Sequence, residues 1–286
     1  MYRDMLIVID ADKIDEEFVR YSGQMAANFD ADLIAVVGAT VMPTVLPIAG
    51  FGAGGGILID SATTNEDLDE AKARANAAKE KVESLLVDVN QKVLVHAVAG
   101  SQAQIGEFAV KLGRAVDLFI CYNPFKDDPL APDRTIFESV MRQAACGALI
   151  VPRGYSDIGT NKRVIVAWNN SSEAARAVRV AMPFLLKANR VTVLLVDPDL
   201  RQPGDDWRPG DELVQHLDRY GVQSDLARVS STDVGVAAAI DAELEHKGAR
   251  LVVMGGYGQS PLKDWVLGSV AREFLETSDL PIIMSN

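Results

Sequence analysis

Short apolar runs and amphipathic stretches alternate along this chain twice in the same order, and that alternation restricts the fold more than any other feature. In the first half Met5–Asp10, Leu33–Val37, Val93–Val98, Val116–Tyr122 and Ala148–Val151 read as strands. Between them Asp15–Phe29, Glu66–Val87, Ile105–Leu112 and Phe137–Ala145 have helical spacing. The second half repeats the order. Strands are expected over Arg163–Trp168, Arg190–Val196, Val222–Ala227, Arg250–Met254 and Pro281–Met284. Helices are expected over Ser172–Leu186, Glu212–Tyr220, Val234–Glu245 and Ser269–Glu276, with Ser171 or Ser172 as an N-cap. Short β-branched runs bounded by turn residues are buried strands, and apolar residues three and four apart mark helices.

The halves can be laid over each other. Ile9-Asp10 matches Trp168-Asn169, 159 residues on, and Leu118–Cys121 matches Leu251–Met254, 133 residues on. The first half is longer, mostly through the stretch from Thr40 to Thr64. Strand–helix–strand units of this kind build parallel sheets with right-handed crossovers and helices on both faces. The expected fold is α/β, with two tandem doubly wound domains over residues 1–153 and 154–286. The boundary lies in the polar link Arg153–Asn161, which contains Gly154 and Gly159.

A length of 286 residues suits two domains at about 150 residues each, and a hydrophobic share of 48% is ample for two cores. The net charge of -12 argues against nucleic acid or an anionic membrane as partner, because both reward clustered Lys and Arg. Cys121 and Cys146 form no CxxC pair, and His96, His216 and His246 are scattered, so metal-site spacing is absent. The cysteines read as small buried thiols of a reducing cytoplasm. The N-terminal Met1–Leu6 segment has no signal-peptide layout, and no apolar run approaches the ~20 residues of a membrane span.

The chemistry-bearing segment is Gly255-Gly256-Tyr257-Gly258, followed by Gly268-Ser269. It directly follows the apolar run Leu251–Met254. A buried strand that opens into spaced glycines and a Gly-Ser step lets backbone N–H groups approach a phosphate.

These residues, in this order of elements, resemble the universal stress protein family in its tandem two-domain form. The most specific element is the pattern G-x2-G-x9-G-S/T, met by Gly255, Gly258, Gly268 and Ser269. The resemblance implies a five-stranded parallel sheet in each domain, with strand order 3-2-1-4-5, and a ligand cleft where strands 1 and 4 part. It implies an adenine nucleotide, ATP or its relatives ADP and AMP, and leaves room for Mg2+. By position, Ala167, Asn169 and Val196 would flank adenine. Met254 and Gly255 would face base and ribose, and Gly258, Gly268, Ser269 and Val270 would hold the phosphates. It implies stress-response roles. It also implies fifth strands that pair across the two domains, with a homodimer of chains beyond that.

Two departures stand out. ATP-binding members carry an Asp after strand 1, and here that position is Asn169 in the second half. The first half keeps Asp10 but loses the glycines. Tyr122–Pro129 and Asp133-Arg134-Thr135 stand there instead, with prolines that remove N–H donors and Asp127, Asp128 and Asp133 that repel phosphate. One nucleotide site per chain is therefore expected, in the second half. The G-x-G-x-x-G match at Gly50–Gly55 does not pass from a strand into a helix and reads as a surface loop. Its apolar neighbours suit it to cover the first cleft or another chain. Lys263 and Arg272 either neutralise phosphate or face solvent, and Trp168 and Trp265 read as packing residues. No catalytic set is legible, so a regulatory binding protein leads. A nucleotide-independent scaffold is one alternative. A slow ATPase or phosphotransferase using Ser260, Lys263 or Asp264 is the other.

Overall fold

The structure is a computed structural model that describes residues 1–41, 45–47, 57–59, 64–126, 132–159, 162–198, 208–232, 234–259 and 265–285. The first half contains β1 (Asp4–Asp10), α1 (Glu16–Phe29), β2 (Asp32–Thr40), β3 (Val45–Pro47), β4 (Ile57–Ile59) and α2 (Asn65–Leu85). It continues with β5 (Val93–Gly100), α3 (Gln102–Gly113), β6 (Leu118–Tyr122), α4 (Pro132–Gln143) and β7 (Gly147–Val151). The second half contains β8 (Arg163–Ala167), α5 (Ser172–Lys187), β9 (Arg190–Val196), α6 (Asp211–Arg219), β10 (Ser224–Val229) and α7 (Val236–Lys247). It ends with β11 (Leu251–Gly255), β12 (Tyr257–Gln259), β13 (Trp265–Leu267), α8 (Ser269–Thr277) and β14 (Ile282–Ser285).

Ten of the strands form one sheet, in the order β10-β9-β8-β11-β14-β7-β6-β1-β2-β5. Each half supplies five strands in the order 3-2-1-4-5, parallel throughout. The halves meet where β14 runs antiparallel to β7, with Ile282 opposite Ile150, Ile283 opposite Leu149 and Met284 opposite Ala148. The pairing expected of the last strands thus turns two five-stranded sheets into one.

Alternation along the strands sends neighbouring side chains to opposite faces. Met5, Ile7 and Ile9 of β1 belong to the core layer that also holds residues of α1, α2, α5 and α6, while Leu6 belongs to the layer of the other face, with residues of α3, α4, α7 and α8. Both layers run across the seam. On one face Tyr2, Phe29 and Phe184 form an aromatic cluster with ring centroids 4.4–5.9 Å apart, and the Tyr2 hydroxyl donates to the Val180 carbonyl of α5 at 2.5 Å. Local chemistry sets the helix starts. Asp15 caps α1, and capping boxes open α2 (Thr64 with Asp67) and α3 (Ser101 with Gln104).

Several features differ from the expectation, among them the start of α3 at Gln102 and not Ile105. Helix α4 starts at Pro132, five residues before Phe137, because proline fits the first helical position while apolar spacing registers only from Phe137 onward. Strand β10 is shifted two residues on, to Ser224–Val229. Two antiparallel hairpins were not foreseen: β3 with β4 inside the long first-half insert, and β12 with β13 inside the glycine segment. The Gly50–Gly55 loop, Asp127–Pro129, Ser260, Lys263 and Asp264 lie outside the described residues.

Candidate functional site

In an open doubly wound sheet the carboxyl ends of the two strands at the winding reversal part and leave a crevice. Here β8 and β11 do so in the second half. The crevice encloses a volume of about 580 Å3. Eight of the nine residues expected at the site line it: Ala167, Asn169, Val196, Met254, Gly255, Gly268, Ser269 and Val270. The ninth, Gly258, lies in β12 opposite Val266 of the hairpin. Sequence reasoning missed Ser171, Glu173, Val236, Ile240 and Leu267, which also line the cleft. The three apolar ones extend its floor between Val196 and α8. Trp168 is buried at the cleft wall, and its Nε1 has no hydrogen-bond partner among the described residues.

The glycines divide by role. A Cβ on Gly255 would stand 2.8 Å from the Ala174 amide nitrogen and 2.9 Å from Glu173 Cβ, so glycine here lets the first turn of α5 cross the end of β11. A Cβ on Gly256 would collide with the Met284 side chain. Among the described residues a Cβ on Gly268 would meet nothing closer than the Gly256 carbonyl, at 3.8 Å. That position faces open space, and its N–H donates to Gly256 O at 3.3 Å to close the loop. Gly255 and Gly256 clear room for protein, and Gly268 for the cleft.

Charge around the cleft is uneven. Helix α8 begins after Gly268 with no side-chain cap and no acid in its first turn, so its first N–H groups stand at the cleft without a side-chain acceptor among the described residues. Helix α7 also starts without a side-chain cap among the described residues and without an acid in its first turn, and its first residue, Val236, lines the cleft. Helix α5 is the opposite. Ser171 caps it through the Ala174 N–H at 3.1 Å, and Glu173 sits in its first turn. Desolvation alone would raise the Glu173 carboxyl. Its own backbone amide, the Ser172 hydroxyl, Arg176 and Ser171 outweigh that and hold it below the ordinary value. One wall thus offers bare N–H donors and the other an ionised carboxylate. Arg272 pairs with Glu276 at 3.0 Å along the exposed side of α8, so of its two readings the solvent-facing one holds.

Asn169 follows β8. Its Oδ1 accepts the Ser171 N–H at 3.1 Å, which leaves Nδ2 as the group free for the cleft. Beside Val196, Asp197 adopts a left-handed backbone, φ 48°, and accepts from the Ser231 and Ser230 hydroxyls. Those bonds, with the Ser231 amide, lower its carboxyl and pin the end of β9 to the loop after β10.

The first half has a cleft at the matching place, of about 430 Å3, between the ends of β1 and β6. In place of the glycine exit stand Tyr122 and Asn123, and the first turn of α4 carries Asp133. Both cysteines are free. Burial pushes the Cys121 thiol well above its ordinary value and Cys146 to about 11. No helix among the described residues is long and apolar enough to cross a membrane.

Residues 160–285 match the model of the universal stress protein family. A search of curated protein sequences returned no match. Among solved structures, a universal stress protein from Archaeoglobus fulgidus DSM 4304 aligns over 98% of this chain and 95% of its own, at 15% identity and a TM-score of 0.69. A Pseudomonas aeruginosa UCBPP-PA14 protein assigned to the same family aligns over 99% and 93%, at 18% identity and a TM-score of 0.59. A universal stress protein from Archaeoglobus fulgidus solved in complex with dAMP aligns over 52% of this chain and 97% of its own, at 17% identity and a TM-score of 0.31. The whole-chain likenesses carry the tandem fold, and the family match carries the second half. The second half thus matches the universal stress protein family, and the whole chain shares the fold of the solved two-domain structures, repeated on either side of the β7–β14 seam.

Proposed function

We propose that this protein is an adenine-nucleotide-binding regulator of the stress response, with one nucleotide site, in its second half. The observation that carries this reading is the start of α8. Among the described residues nothing crowds Gly268 and no side chain caps the helix; no acid occupies its first turn, and Ser269 and Val270 line the cleft. Uncapped N–H groups at a helix start attract phosphate. The ionised Glu173 opposes phosphate at the other wall, so the charged end of a nucleotide points to α8 and its uncharged end to Ala167, Asn169, Val196 and Met254. The family match of residues 160–285 supplies the adenine, because ATP-binding members place adenosine between these strand ends. Residues 1–153 and 154–286 are the two functional units. ATP, ADP and AMP are the candidate ligands, with Mg2+ as an accompanying ion. We place the protein in the cytoplasm, in keeping with its two free thiols, and propose that chains pair as homodimers.

Calorimetry with AMP, ADP and ATP, with and without Mg2+, tests the site. One nucleotide per chain is expected, with binding abolished by Gly268→Val. No binding, and no thermal shift with any of the three, would favour a nucleotide-independent scaffold. Steady ADP release that Gly268→Val abolishes would favour a slow ATPase or phosphotransferase. Sedimentation of the intact chain reads out the homodimer.

A further inference from the structure

A groove opens between α5 and α6, on the sheet face away from α7 and α8. Its volume of about 330 Å3 falls in the range of roughly 300–1,000 Å3 usual for small-molecule sites. Trp168, Ala175, Val178 and Leu213 form its apolar floor. Alternation after β8 explains the first of these. Val164, Val166 and Trp168 belong to the core layer of α5 and α6, and Ile165 to the other. The Trp168 indole N–H is buried and has no acceptor among the described residues, so its desolvation is uncompensated in the free chain.

The rim is cationic. Arg179 borders the groove from α5, and His216 and Arg219 border it from the last turn of α6. All three are exposed. Among the described residues neither guanidinium has an ion pair or a hydrogen bond. The neighbouring charges are engaged elsewhere. Arg176 pairs with Glu173 at 3.3 Å, Arg228 with Asp211 at 3.1 Å, and Asp218 accepts from the Ser224 hydroxyl at 3.3 Å. Glu212 is the acid at the groove, and its Oε1 accepts the Gly210 N–H at 3.4 Å. It stands in the first turn of α6, at the far end from Arg219, about 10 Å along the helix at 1.5 Å per residue. In a chain of net charge -12, two uncommitted guanidiniums beside an apolar floor mark a place for an anion with a flat apolar body.

We propose that the α5–α6 groove is a ligand site for a small aromatic or heteroaromatic acid with a hydrogen-bond acceptor on its ring. The ring lies on Trp168, Val178 and Leu213. Its acceptor takes the indole N–H, and Arg179 and Arg219 take the carboxylate. Glu212 keeps the anionic end toward Arg219 by repulsion. The site goes beyond the nucleotide reading of the cleft and does not depend on it, although Trp168 borders both.

Nicotinate, nicotinamide and benzoate test it. Nicotinate has the ring acceptor and the carboxylate, nicotinamide lacks the charge, and benzoate lacks the ring acceptor. The chain has three tryptophans, so its indole N–H signals can be followed by NMR, with Trp168→Phe identifying that of Trp168. Nicotinate should shift the Trp168 signal saturably. Benzoate should bind about threefold more weakly, for one neutral hydrogen bond lost, and nicotinamide about tenfold more weakly. Arg179→Gln combined with Arg219→Gln should weaken nicotinate about tenfold, at roughly threefold per exposed ion pair, and leave nicotinamide nearly unchanged. Both arginines are exposed, so the double variant should melt with the wild type. Gly268→Val, in the nucleotide cleft, should leave nicotinate binding unchanged. The proposal is overturned if nicotinate leaves the Trp168 signal in place, if nicotinamide or benzoate binds as tightly, or if the double variant keeps full affinity. It is also overturned if Gly268→Val abolishes nicotinate binding, which would put the acid in the cleft instead. A wild-type chain that binds nicotinate in this way but binds no AMP sinks the nucleotide reading alone.

Discussion

The Asn123 side-chain amide donates to the Leu275 carbonyl at 2.7 Å, across the seam between the two halves. Its Oδ1 also accepts the Phe125 N–H at 3.0 Å, and its backbone N–H donates to Val151 O. The residue is 4% exposed, so water has almost no access to either group. Asn123→Ala would leave a buried carbonyl and a partly buried N–H without partners. A loss of about 1–3 kcal/mol is expected. Urea unfolding reads it as a lower midpoint with an unchanged m-value, because the seam remains packed by β7 and β14.

The glycines of the second-half cleft should separate stability from binding. Gly255→Ala places a methyl against the backbone of α5 and should destabilise the free protein by about 1–3 kcal/mol, as overpacking does. Gly268→Ala has room and should leave the melting temperature of the free chain unchanged. It should instead weaken AMP, because its methyl enters the space above the α8 N–H groups. Thermal unfolding without ligand, set beside calorimetry with AMP, checks both. A Gly268→Ala chain that melts early but binds normally would reverse the assignment.

Glu173 should act as a charge filter. Its carboxylate is held ionised at the cleft wall, so Glu173→Gln should tighten AMP more than adenosine, by about two- to fivefold at low salt. The difference should shrink as ionic strength rises and screening shortens the reach of the charge. Titrations at two salt concentrations decide it.

The Asp241 carboxyl is raised above its ordinary value by desolvation, then by Glu245 and Asp279, with Lys126 opposing. A carboxyl whose folded-state pKa exceeds its unfolded value contributes stability below the unfolded pKa and loses it as pH rises through the folded one. Asp241 therefore works against the fold at neutral pH. Asp241→Asn should raise the melting temperature near pH ~7 and leave it unchanged below pH ~3.5, where the carboxyl is protonated in both states. Asp197, lowered by Ser231 and Ser230, has the opposite sign, so its contribution is present at neutral pH and fades on acidification.

Elements buried on both sides of the sheet were legible because they carry unbroken apolar runs. Met5–Asp10 was expected and Asp4–Asp10 observed, and Leu251–Met254 lies inside β11. The order of elements, and with it the position of the cleft, followed from those runs. Three-residue strands gave no such signal. Tyr257–Gln259 and Trp265–Leu267 are too short for a period to register, so the hairpin inside the glycine segment went unseen. Glu173 was missed for another reason. It reaches the cleft only because α5 crosses β11 at Gly255, which is a fact of packing and not of local spacing. The link from Asn123 to Leu275 spans 152 residues, and no local pattern announces it.

The β7–β14 pairing has a consequence for how the two clefts can change. Within one chain the two halves are permanently at each other's service, at an effective concentration that no dilution lowers. Neither half has to be its own partner. In an assembly of identical subunits every substitution appears in both copies, and an altered site is altered twice. Covalent joining lifts that symmetry. An aspartate can stand at position 10 and an asparagine at position 169, a carboxylate can open α4 and a glycine α8, and each change is felt once. The seam thus gives the molecule two independent addresses on one continuous sheet.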